Sequence, residues 1–108
     1  LKKGIETLKK SLEKLLQLKV VEFDWNENIG KTEYEYFKER KRLHSLGLIA
    51  QDVRKYVPQV VSMQPTGYYS VDYRLLNALL VEAIKEQQVI IDNINKQIEE
   101  LEYKILDV

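Results

Sequence analysis

The stretch "DYRLLNALLVEAIKEQQVIIDNINKQIEELEYKILDV", Asp72 to Val108, decides the fold, because it runs for 37 residues without a proline or a glycine. It reads as one helix with Asp72 placed as its N-cap. Fully helical, it would be about 55 Å long, more than the diameter of a small domain. Taking Asn77 as an a position, the a sites are Asn77, Ile84, Ile91, Ile98 and Ile105, and the d sites are Leu80, Gln87, Ile94, Leu101 and Val108. Eight of these ten are aliphatic. That is a coiled-coil seam, narrower than the stripe of a helix lying on a globular core. β-branched residues at both a and d favour three or four strands over two, and buried amides such as Asn77 and Gln87 commonly set register and oligomer number. A parallel homotrimer is the preferred state. The alternative is an intramolecular hairpin with an N-terminal helix, but that helix is too short to cover ten core positions.

Working towards the N-terminus, "QVVSMQPTGYYSV" is two short apolar runs around "QPTG", with Pro65 and Gly67 in turn positions, which predicts a hairpin. Before it, "QDVRKYVP" predicts one or two helical turns closed by Pro58, and "HSLGLIAQ" has the apolar density of a short buried strand. The segment 26–42, polar and charged around Gly30, Tyr34, Tyr36 and Phe37, reads as a loop or extended excursion with a mobile tip. In "KVVEFDW", Val21, Phe23 and Trp25 alternate with Glu22 and Asp24, as in a half-buried strand. The first segment, "IETLKKSLEKLLQL", spaces Ile5, Leu8, Leu12, Leu15 and Leu16 by threes and fours and predicts one amphipathic helix. The expected fold is α+β, one domain over 1–108, with a small helix and strand region at 1–71 and the coiled-coil helix at 72–108.

Composition narrows the function. The chain of 108 residues has 17 basic and 17 acidic side chains interspersed along it, so no single-sign field exists to hold nucleic acid or an anionic membrane. It has no cysteine, which removes disulfides, thiolate nucleophiles and the usual structural zinc sites. No apolar run approaches the roughly 20 residues that span a bilayer. No cofactor, metal or small-molecule substrate is expected. The start at Leu1 suggests a processed product or part of something longer.

The lone histidine, His44, has no second histidine or cysteine with which to bind zinc. Gln51, an amide after an apolar run, is expected beside buried backbone and in need of partners. Tyr68, Tyr69 and Tyr73 form an aromatic cluster, read as two core residues and one exposed. Glu33, Glu35 and Glu39 read as a solvated face.

The order of "LGLIAQDV", a "VPQVV" run, "YSVDY" and "LLNALLVEAIKE" resembles the C-terminal intramolecular chaperone domain of endosialidase-type phage tailspikes. Such domains also occur on tail fibres, neck appendages and the eukaryotic myelin regulatory factors. The resemblance implies a domain at the end of a precursor that trimerises, helps the upstream β-rich fibre to fold and is released by autoproteolysis. Cleavage in that family falls just before the serine of a Ser-Asp-x-x-Leu-Lys motif. "LKKGI" matches the end of the motif, which puts Leu1 on its leucine and Lys2 on its lysine, the base that assists the serine. The serine would stand four residues before Leu1. A hydroxyl needs a base to take its proton, and a lysine serves only when burial or nearby cations lower its pKa. Gly4 stands where the family commonly has asparagine. His44 matches a family histidine tied to the processing site or its assembly; the other reading is a structural histidine at a strand start. Asp72 could be read as a catalytic carboxylate, but an N-cap explains it fully, and Gln51, Asp72 and Tyr73 are expected to be structural.

The resemblance further implies action in the host cytoplasm during phage assembly, and absence from the mature virion. Two rivals share the fold: a permanent trimerisation tip without proteolytic release, and the equivalent domain of a membrane-tethered transcription factor. An enzyme turning over an external substrate has no support, since Ser11, Ser45, Ser62 and Ser70 lack motif context and no carboxylate pair stands out.

Overall fold

The computed structural model describes residues 1–25, 35, 38 and 44–107. Their elements are α1 (Ser11–Leu15), β1 (Val21–Asp24), β2 (His44–Gly47), α2 (Ala50–Tyr56), a 3-10 turn (Pro58–Val60), β3 (Val61–Met63), β4 (Tyr69–Val71) and α3 (Tyr73–Leu106). This is a mixed α+β chain whose small strand region is followed by a long C-terminal helix. The chain divides into two compact units, Leu1–Gln17 with Asp72–Val108, and Leu18–Val71.

In the first unit, Asp72 is extended, and its carboxylate accepts a hydrogen bond from the Arg74 amide at 3.0 Å. That satisfies one orphan N–H of the first turn, and 34 helical residues follow, a length of about 51 Å. The Arg74 side chain beside Asp72 holds this carboxyl below its ordinary range. One stripe of α3, at Leu76, Leu79 and Ala83, is buried, and Glu86 continues it half-buried. Every described residue from Gln87 onward is exposed. Leu79 is 3% exposed, so Leu79→Ala is expected to cost about 2–5 kcal/mol in chemical denaturation, from lost transfer energy and the cavity left behind.

The N-terminal helix is shorter than its pattern predicts. It occupies Ser11–Leu15 instead of running from Ile5, and Ile5 and Leu8 are exposed. The reason lies at Lys10, which stands in the left-handed region at φ 58° and makes no side-chain cap. Lysine cannot cap, and a non-glycine residue in that region turns the chain away from a helical path. The α1 segment packs on α3, so a fragment of the intramolecular hairpin does exist. It involves Glu86 at a c position and not the a and d row.

In the second unit, β1 and β2 pair antiparallel with Asp24 opposite His44 and Val21 opposite Gly47. Period-two alternation leaves Val21, Phe23 and Trp25 half-buried, with the Phe23 and Trp25 rings edge to face at 5.0 Å. The "HSLGLIAQ" run is not a buried strand: Leu46 is 70% exposed, and the chain turns helical at Ala50. A two-stranded ribbon covers only one of its faces, and Leu46 lies on the other with Glu22 and Asp24. The α2 helix and the 3-10 turn bury Val53, Val57 and Val60, spaced by four and three, and α2 packs on β3 and β4.

The β3–β4 hairpin turns as its sequence predicts. Gly67 donates its N–H to Gln64 O at 2.9 Å, and Gln64 donates back to Tyr68 O at 2.8 Å. Pro65 presets the turn, and Gly67 takes φ 89°, which a Cβ would resist. Of the three tyrosines, Tyr69 alone is half-buried, whereas Tyr68 and Tyr73 are exposed. The expected pair of core tyrosines is therefore not met: none of the three is fully buried, and Tyr69 comes nearest. Its hydroxyl accepts from Arg54 Nη1 at 2.7 Å, and the guanidinium also lies 4.8 Å from the ring centroid. The excursion at 26–42 lies outside the described residues except for Glu35 and Lys38, which are helical and exposed where a loop was expected. Tyr34, Tyr36, Phe37, Glu33 and Glu39, and the last seam residue Val108, also lie outside them.

Candidate functional site

Three sets of residues bear on function. The first is a row on α3. Asn77, Leu80, Ile84, Gln87, Ile91, Ile94, Ile98, Leu101 and Ile105 are all exposed, and the five aliphatics from Ile91 onward range from 43% to 73%. They lie one residue on from Leu76, Leu79 and Ala83, which rotates the row about 100° from the buried stripe. The residues that the chain covers by itself and the heptad row are different faces of one helix.

The second set is at the chain start. Leu1 and Lys2 are exposed, and Gly4 has φ 63°, a conformation glycine adopts at no steric cost. Further on, the α1 start is held by the long helix. Glu86 Oε1 accepts from Ser11 N at 3.2 Å, and Glu86 Oε2 from Leu12 N at 2.6 Å. Two orphan N–H groups of α1 are thus satisfied by a carboxylate more than 70 residues away, which suits both the hydrogen-bond accounting and the helix dipole. Ser11 is fully buried beneath this contact, and its hydroxyl has no hydrogen-bond partner among the described residues.

The third set is on the exposed face of the β1–β2 ribbon. His44 Nδ1 is 2.7 Å from Asp24 Oδ1, directly across the ladder, and Nε2 is 3.6 Å from Glu22 Oε1, two residues along the same face. The hydrogen bond to Asp24 raises the His44 pKa above its ordinary 6.5, and Glu22 adds to it. A group raised on folding stabilises the folded state below its unfolded pKa, and that contribution is lost as pH rises through the folded value. The ribbon should therefore be firmer below about pH 6.5 and loosen above the raised His44 value. Asp24→Asn should bring the His44 titration, followed by NMR of the ring protons, back towards 6.5. An unchanged titration would show that Asp24 is not its cause.

Gln51 is exposed in the first turn of α2, so the expected setting beside buried backbone is not met. Tyr73 is exposed at the first residue of α3. Lys2 and His44 belong to different units, as do Gln51 and Asp72. Among the described residues no group of three histidines, cysteines or carboxylates could hold a metal, and no helix is long and apolar enough to cross a membrane. Glu86, Glu22 and Asp24 carry no sequence signal of these roles. Their partners are set by strand register and by a contact between distant segments, neither of which has a local pattern.

A family model described as the chaperone of endosialidase, a peptidase family, matches residues 1–62, from the chain start through α1, the β1–β2 ribbon and α2 into β3. The chain belongs to the chaperone of endosialidase family. No curated protein matches it.

Proposed function

We propose that this chain is the intramolecular chaperone domain of a phage fibre, spike or appendage protein. It assembles as a parallel homotrimer through the α3 row and leaves its precursor by autoproteolysis before a serine four residues upstream of Leu1. The observation that carries this reading is the uncovered row itself. The described part of α3 beyond Glu86 is about 31 Å of helix on which no residue is buried, although Ile91, Ile94, Ile98, Leu101 and Ile105 line one side. Helices of this size without tertiary packing are marginal in water, so a second and third copy are its natural cover.

The chaperone role has a physical basis. An intertwined β fibre must align three chains before its non-local pairings become favourable, and the closure entropy of that step is large. Joining the three C-terminal ends raises their effective concentration to about the millimolar range. The partner is the upstream fibre region of the same precursor, in the host cytoplasm during assembly, and after release the domain is absent from the virion. Lys2 serves as the base for the upstream serine, and His44 supports the processing region.

The test is to express the precursor with its upstream segment, follow its size on a denaturing gel, sequence the new N-terminus and sediment the product. A cut four residues before Leu1 and a trimeric mass are expected. An uncut trimer would replace release with a permanent tip, and a monomer at micromolar concentration would overturn the assembly reading.

A further inference from the structure

The α1 helix cannot cap itself. Its N-cap position is Lys10, which has no acceptor and makes no side-chain cap, and its first two amides are held by Glu86 of α3. Nothing local compensates for their loss, so α1 is conditional on the turn of α3 that carries Glu86. The left-handed Lys10 sets the direction in which residues 1–9 leave α1, and that conformation persists only where its surroundings fix it. Glu86 itself stands between the seam residues Ile84 and Gln87, so closing the seam firms the turn that presents its carboxylate.

We propose that Glu86 is a positioning residue for processing: by clasping the first two amides of α1 it ties to the long helix the point from which the segment bearing Lys2 departs. This rests on the proposed release at the upstream serine. It adds a specific link between seam and cleavage site, carried by one carboxylate.

Four forms of the precursor test it: parent, Lys2→Ala, Glu86→Ala and Glu86→Gln. Each is followed for cleavage rate, sedimentation and amide exchange of the 1–17 segment. Glu86→Ala should stay trimeric, exchange Ser11 and Leu12 at least about tenfold faster, and be cut about tenfold more slowly, since two charge-assisted bonds are lost. Glu86→Gln keeps one acceptor and should fall between parent and Glu86→Ala in both rates, a graded rescue that a general loss of stability would not give. Parent-like cleavage of a trimeric Glu86→Ala overturns the positioning role and leaves the release reading standing. Parent-like exchange in Glu86→Ala overturns the clasp. A parent precursor that is never cut overturns release itself, and the positioning role with it.

Discussion

Ile91→Asp together with Ile98→Asp should leave the chain monomeric at concentrations where the proposed assembly has the parent sediment as a trimer. Both residues are a positions on the uncovered row, and in a trimer each would bring three like charges together away from water. An unpaired buried charge costs several kcal/mol, so six of them exceed what a short seam can supply, and association should weaken by many orders of magnitude. Lys96→Asp, an f position on the outer face, makes the net charge of each chain more negative by the same two units and should leave assembly intact. If the Lys96 variant dissociates as completely as the double seam variant, the effect is net charge and the register is wrong. Circular dichroism offers a second reading. No described residue of the helix from Gln87 onward is buried, so the monomer should lose helical signal there as well as mass.

The second large effect is at the other end. Lys2→Ala in the precursor should stop processing, slowing it about a thousandfold or more, while the protein still sediments as a trimer. Lys2→Arg should be equally inactive, because a guanidinium keeps its proton in any protein environment and cannot serve as a base. Lys3→Ala, one residue along, should be cut at the parent rate. Undiminished cleavage of Lys2→Ala would remove the lysine from the chemistry. Cleavage lost together with the trimer would instead make Lys2 a residue of assembly.

The parts of the fold that were legible are those governed by local rules. The long helix and its start at Asp72 follow from an unbroken helical pattern and a side chain able to accept from the second residue of the helix. The β3–β4 turn follows from Pro65 and Gly67, whose backbone preferences act within four residues. The pattern misled where exposure and path depend on distant parts. Ile5 to Leu16 has helical spacing, but only Ser11–Leu15 is helical, because the conformation of Lys10 and the contact with Glu86 decide where α1 begins. Leu46 and Ile49 are apolar enough for a buried strand, yet the ribbon that holds Leu46 leaves one face in water, and Ile49 lies past it at the N-cap of α2. The His44 group was half visible. The histidine was plainly alone in the sequence, but a register placing Asp24 across from it and Glu22 diagonally beside it exists only once β1 and β2 pair.

By itself, then, the sequence determined the long helix, its cap and the heptad row, since each is written in spacings that hold whatever surrounds them. Only the tertiary structure decided which side of that helix is buried within the chain, at Leu76, Leu79 and Ala83, and which side stays exposed. Burial is a property of contacts between distant segments. Glu86, an unremarkable surface residue in the sequence, becomes the cap of a helix more than 70 residues away because folding brings its carboxylate to two amides that have no nearer acceptor.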